Sequence, residues 1–76
     1  VETKHRDKPH PDRIYRGRIL KVVQEKMSVN VNALGRLIDS SFDATHDQAW
    51  LLRILDRMQK DQMIDVRGRM VRVHRG

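Results

Sequence analysis

The 76-residue sequence contains no cysteine, which removes disulfide staples, Cys-based zinc fingers and Cys-ligated iron–sulfur clusters from consideration. Aromatic residues are nearly absent as well: of the only three, Trp50 could stack on a base and Tyr15 could hydrogen-bond a phosphate, but their places on apolar helix faces favour core packing, and Phe42 is the third. Proline occurs only at Pro9 and Pro11, so the rest of the chain is free to form uninterrupted elements. No apolar run approaches the roughly 20 residues needed to span a bilayer, and no signal-peptide pattern opens the chain. The setting expected from these absences is a reducing cytoplasm. A chain of this length supports one small domain with a modest core. It opens at Val1 on a polar tract, which is expected of a domain excised from a longer protein.

What is present is charge and periodicity. The formal net charge is +6, unevenly distributed. Lys4, Arg6, Lys8, Arg13, Arg16, Arg18, Lys21 and Lys26 make the first third strongly basic. From Gln62 onward, Arg67, Arg69, Arg72 and Arg75 face Asp65 alone. Between them, Asp39, Asp43, Asp47, Asp56 and Asp61 leave the middle slightly acidic. Basic ends around a near-neutral centre suggest a nucleic-acid surface built from the first helix and the C-terminal hairpin.

Residues 1–11 are charged and carry little to bury, so they are expected to be a flexible arm or linker whose deletion leaves stability nearly unchanged. The domain proper is expected over 12–76. Asp12, directly after Pro11, starts a helix in which Tyr15, Ile19, Val22 and Val23 share a face to about Lys26. Gly17 inside it suggests a close approach by another backbone. Met27-Ser28-Val29 is read as a short strand. Asn30 then caps a second helix with Val31, Leu34, Leu37 and Ile38 on one face. Ser40 to Ala44 forms a turn with Phe42 as its apolar plug, and Thr45 with Gln48 reads as a capping box that starts the third helix at His46.

Along this third helix Trp50, Leu51, Ile54, Leu55 and Met58 lie on one arc, and His46, Arg53, Arg57 and Lys60 on another. The period then changes to two. Pairing Val66 with Val71 and Ile64 with Val73 gives a hairpin around Arg67 to Met70, with Asp65 and Arg72 outward. A long helix feeding a basic hairpin is the order of a winged helix-turn-helix: mainly α, three helices and a β-hairpin wing. The connection between the second and third helices exceeds that of a tight helix-turn-helix, which favours the winged variant. The expected core is Tyr15, Ile19, Val23, Leu34, Leu37, Phe42, Trp50, Ile54, Leu55, Ile64, Val71 and Val73.

Asp12-Arg13-Ile14-Tyr15-Arg16-Gly17-Arg18-Ile19, then Ala33-Leu34-Gly35, Trp50-Leu51 with Leu55-Asp56, and Asp61-Gln62-Met63-Ile64 together resemble the region that follows the catalytic domain in archaeal adenine DNA glycosylases. The resemblance extends over about Pro11 to Val73. Tyr15-Arg16-Gly17-Arg18 is its most distinctive piece. Asp61-Gln62 departs from the aspartate-glycine expected before the wing. The resemblance implies an accessory winged helix of a base-excision repair enzyme that removes adenine mispaired with guanine or oxidised guanine. The family's catalytic carboxylates, helix-hairpin-helix and iron–sulfur cysteines belong to an upstream domain and have no counterpart in this stretch.

The residues expected to contact nucleic acid are Arg13, Arg16, Arg18, Arg53, Arg57, Lys60, Arg67, Arg69 and Arg72. The expected partner is duplex DNA, with nucleoid association and with the catalytic domain of the same parent chain as a neighbour. No catalytic group, cofactor, metal, membrane or small-molecule substrate is expected for this stretch. His5 and His10 lie in the arm, and His46 and His74 have no carboxylate or thiolate cluster around them. The alternative, supported by the acidic middle, is a protein-interaction or intramolecular docking domain whose basic surface serves solubility.

Overall fold

Six elements follow one another in the computed structural model, which describes residues 8–74. They are α1 (Asp12–Lys26), β1 (Ser28–Asn30), α2 (Val31–Ile38), α3 (Ala44–Lys60), β2 (Ile64–Arg67) and β3 (Met70–Val73). The three strands form one antiparallel sheet in the order β1-β3-β2, so the strand nearest the N-terminus closes the far side of the C-terminal hairpin. Three helices with a small sheet and a hairpin wing are the winged-helix-like arrangement that the sequence pattern called for.

One face of each helix makes the core. Tyr15, Ile19 and Val23 recur every fourth residue along α1. Trp50, Leu51, Ile54, Leu55 and Met58 are all buried along α3, and Val29, Ile64 and Val71 close the sheet side. Tyr15 and Trp50 meet edge to face, with ring centroids 5.1 Å apart, and the Trp50 indole N–H donates to Asp12 Oδ1 at 3.0 Å. Trp50 is therefore a core residue and not a stacking partner for a base, and Tyr15 a core residue and not a phosphate ligand. Leu37 departs from expectation: it is 48 % exposed. On α2 the buried face is Val31, Leu34, Gly35 and Ile38, and at about 100° per residue Leu37 falls off that stripe. Phe42 and Val73 are only partly buried and pack at the rim of the core.

Each turn has an identifiable cause. Met27, expected to begin the strand, instead takes φ 68°, ψ −44° and swings the chain from α1 into β1, which shifts the strand to Ser28. Asn30 caps α2 as expected, its Oδ1 accepting from the Asn32 N–H at 2.8 Å. The next N–H, of Val31, donates to the Arg69 carbonyl at 2.7 Å and ties the start of α2 to the hairpin. The glycine that meets a neighbour is Gly35, not Gly17. A Cβ on Gly35 would lie 2.7 Å from the Phe42 ring, whereas one on Gly17 would have nothing within 4 Å. Gly17 faces solvent, and the expected backbone approach is absent.

The start of α3 also moves. Asp43, not Thr45, is the cap: it accepts from the Thr45 N–H at 3.0 Å, and Asp47 Oδ2 accepts the Asp43 N–H at 2.9 Å. Aspartate outranks threonine as an N-cap, so the helix gains two residues over the capping-box reading. At the other end the Gln62 N–H donates to the Gln59 carbonyl and the Met63 N–H to the Met58 carbonyl, both at 3.0 Å. This is a Schellman ending, with Gln62 at φ 62° in the left-handed position that glycine usually fills. The unusual Asp61-Gln62 therefore stops the helix in the ordinary way, with backbone strain in place of a glycine. The hairpin register is the expected one, Ile64 with Val73 and Val66 with Val71, and Gly68 supplies the positive φ its two-residue turn requires.

The expectation of a flexible arm holds two different regions. Residues 1–7 lie outside the described residues. Lys8 does not behave as arm: it is 5 % exposed and its ammonium sits between two buried carboxylates. It donates to Asp47 Oδ2 at 2.9 Å, forms an ion pair with Asp39, reaches Ser41 Oγ at 3.4 Å and lies 5.5 Å from the centre of the Trp50 ring. The segment before α1 is thereby fastened across the junction of α2 and α3.

Candidate nucleic-acid interface

The buried cluster determines how much acid remains on the surface. Asp39 and Asp47 are enclosed with Lys8, Asp43 caps α3 and contacts His46 Nδ1 at 2.7 Å, and Asp56 pairs with Lys60 at 3.0 Å. Burial disfavours a charged Lys8, but hydrogen bonds to Asp39 and Asp47, with their negative field, outweigh it and hold its pKa above the usual lysine value. Burial likewise pushes the Asp39 carboxyl up, and is outweighed by the Lys8 hydrogen bond and the Ser41 hydroxyl and backbone N–H, so it stays below the usual carboxylate range. Burial and the Asp39 charge push the Tyr15 phenol up. Of the five acids of the middle segment the fold thus takes Asp39 and Asp47 inside, while Asp43, Asp56 and Asp61 stay exposed.

The basic residues divide into engaged and unengaged. Arg18 Nη1 donates to the Ile38 carbonyl at 3.0 Å and its guanidinium lies 5.3 Å from the Tyr15 ring centre, so it secures the C-terminal end of α2 against α1. Lys60 is held by Asp56. Arg13 is exposed and has a partner of its own, while Arg16 is partly buried. The side chains of Arg53, Arg57, Arg67, Arg69 and Arg72 are exposed, and no hydrogen bond or ion pair among the described residues engages them. Sequence reasoning named all nine; the fold leaves these five with guanidinium groups directed to solvent and spare hydrogen-bonding capacity.

These five do not form one stripe. Gln59 Oε1 accepts the Val66 N–H at 2.8 Å, which marks the side of α3 that abuts β2. From Gln59, Leu52 and Asp56 lie within about 60° around the helix, whereas Arg53 and Arg57 lie about 120° and 160° away. The flank of α3 beside the wing is therefore apolar and acidic, and its arginines occupy the opposite flank. In the sheet, Arg72 stands between Ser28 and Asp65, and Arg67 beside Met70, on the face turned from the core. Arg69 is at the hairpin turn itself.

Two functional features escaped the sequence reading. The Lys8 cluster had one signal: Asp47 falls inside the apolar arc of α3, where an acid needs a buried partner. Of the exposed methionines, Met70 was signalled by the period of two that turns Val71 and Val73 inward, whereas Met27, at the end of α1, had no signal. Among the described residues, no group of three histidine, cysteine or acidic side chains is placed to hold a metal ion, and no helix is long and apolar enough to cross a membrane. Compared with protein-family models, with curated proteins and with solved structures, the chain matches none.

Proposed function

We propose that this chain is a non-catalytic, duplex-DNA-binding winged-helix domain, serving as the accessory C-terminal domain of an adenine DNA glycosylase in base-excision repair. The observation that carries the DNA-binding reading is the set of exposed guanidinium groups at Arg53, Arg57, Arg67, Arg69 and Arg72, without partners among the described residues, in a fold that has drawn Asp39 and Asp47 inside. Arginines in such positions neutralise phosphates and release counterions. The glycosylase assignment rests on the resemblance of residues 12–19, 33–35, 50–56 and 61–64. In this reading α3 and the hairpin turn hold the duplex while the catalytic domain of the parent chain, in the nucleoid, acts on the base.

Titration of duplex DNA over a range of salt concentrations tests the reading. Neutralising about 4–5 phosphates gives a slope of log affinity against log salt near −4. Replacing Arg67 and Arg69 with alanine is expected to weaken binding equally on every sequence and to flatten the slope by about 2. Absence of saturable binding at low salt, or a double variant with the wild-type slope, rejects it.

A further inference from the structure

The sheet has a second face, and it is neither core nor plain solvent surface. Register places Ser28, Arg72 and Asp65 in one row on it and Asn30, Met70 and Arg67 in the next. A shallow groove crosses the three strands, lined by Met27, Met70, Arg67, Arg72 and Asp65 among others. Met27 is 61 % and Met70 38 % exposed, so two thioether side chains lie in water beside two guanidinium groups that nothing among the described residues engages. Among the described residues Asp65 is the one acid along this groove, and it contacts His74 Nδ1 at 2.8 Å. The groove is thus mixed in its lining, with methionine side chains set among polar ones, and its two arginines outnumber its one acid.

Met27 supplies the second observation. Its φ of 68° lies in a region that L side chains rarely adopt, and glycine would make the same turn without strain. Its side chain contributes little to the core at 61 % exposure. The backbone thus bears strain at a residue whose apolar side chain stands in water.

We propose that this outer sheet face binds an acidic segment of a partner protein, with apolar anchors set among its carboxylates. Arg67 and Arg72, which the duplex-binding reading also uses, offer planar donors that match carboxylates, so peptide and duplex compete for them. Met27 and Met70, flexible and polarisable, fit apolar side chains of varied shape. The strands are spaced about 4.8 Å apart, so the groove from β1 to β2 is about 10 Å across, room for one peptide segment. A phosphate backbone would leave both methionines without a contact, and a second copy of a chain of net charge +6 is repelled.

The test is selection of a randomised displayed peptide library on the whole 76-residue chain, followed by titration of a selected peptide into chain labelled at its methionine methyl groups. The expected result is enrichment of Asp and Glu together with Leu, Ile or Phe, with the Met27 and Met70 methyl signals moving and that of buried Met58 still. Met27→Gly is the decisive variant, because it removes the anchor and relieves the backbone: peptide binding weakens at least ten-fold while the melting temperature rises. Met70→Ser weakens binding with an unchanged melting temperature. Selected peptides without acids, unmoved Met27 and Met70 signals, or wild-type peptide affinity in Met27→Gly overturns the proposal. So does movement of these signals by duplex DNA and not by peptide, which makes the face a nucleic-acid surface. Arg53→Ala with Arg57→Ala, outside the groove, weakens duplex binding and leaves peptide binding unchanged, so failure of one reading is distinguishable from failure of the other.

Discussion

Lys8 and Arg67 carry the same charge in the same small domain and meet opposite fates. Lys8 is enclosed by Asp39 and Asp47 under the Trp50 ring, whereas Arg67 projects from the sheet with no partner among the described residues. One charge holds the fold together and the other remains free for a ligand. The comparison teaches that a net charge of +6 says little about function until each charge is assigned to the interior or the exterior.

The largest expected effect breaks the interior half of this contrast. Lys8→Met leaves two buried carboxylates without their ammonium, and loss of one partner of a buried ion pair costs about 3–5 kcal/mol. In a domain this small that is most of the stability. Urea unfolding of the variant is expected to show it, and adding Asp39→Asn and Asp47→Asn to Lys8→Met is expected to recover a good part. A Lys8→Met protein as stable as the parent would mean that the segment before α1 is not fastened.

Titration sharpens the same contrast with a smaller effect. Asp39 is held below its usual value of 3.8, so its contribution is present in full above that pH and is lost as pH falls through the lower folded value. Lys8 is held above its usual 10.5, so its contribution is complete below that pH and lost as pH rises through the higher folded value. Melting temperature is expected to drop at both extremes, and Lys8→Met is expected to flatten both limbs.

Backbone substitutions come next, at about 1 kcal/mol each. Gly17→Ala places a methyl group in open space on a helix and is expected to stabilise by about 1 kcal/mol. Gln62→Gly removes left-handed strain at the end of α3 and is expected to stabilise by a similar amount, about 1 kcal/mol. Gly35→Ala has the opposite sign, since its methyl group meets the Phe42 ring. Thermal melts of the three variants distinguish the glycine that the fold needs from the one it tolerates.

The smallest stability effect belongs to the exterior half. Arg67→Ala with Arg69→Ala is expected to change unfolding free energy by less than about 0.5 kcal/mol, because neither side chain has a partner among the described residues. Arg18→Ala, by contrast, is expected to lower the melting temperature measurably by releasing the Ile38 carbonyl. Equal effects from the two would erase the division between engaged and unengaged arginines.

Periodicity and capping residues by themselves determined the element order, the α3 arc from Trp50 to Met58, the Asn30 cap and the hairpin register, because these depend on neighbours a few positions apart. The choice between Asp43 and Thr45 as the α3 cap was local too, and was misread only because two capping residues stand close together. Tertiary structure alone decided the rest. The position of Lys8 depends on carboxylates 31 and 39 positions away, the Gly35 requirement on Phe42, and the separation of Arg53 and Arg57 from the wing on the side of α3 that β2 packs against. A side chain's local pattern specifies the face it shares with its neighbours in an element. Which faces meet, and therefore which charges remain for a partner, follows only when distant segments compete for the same interior.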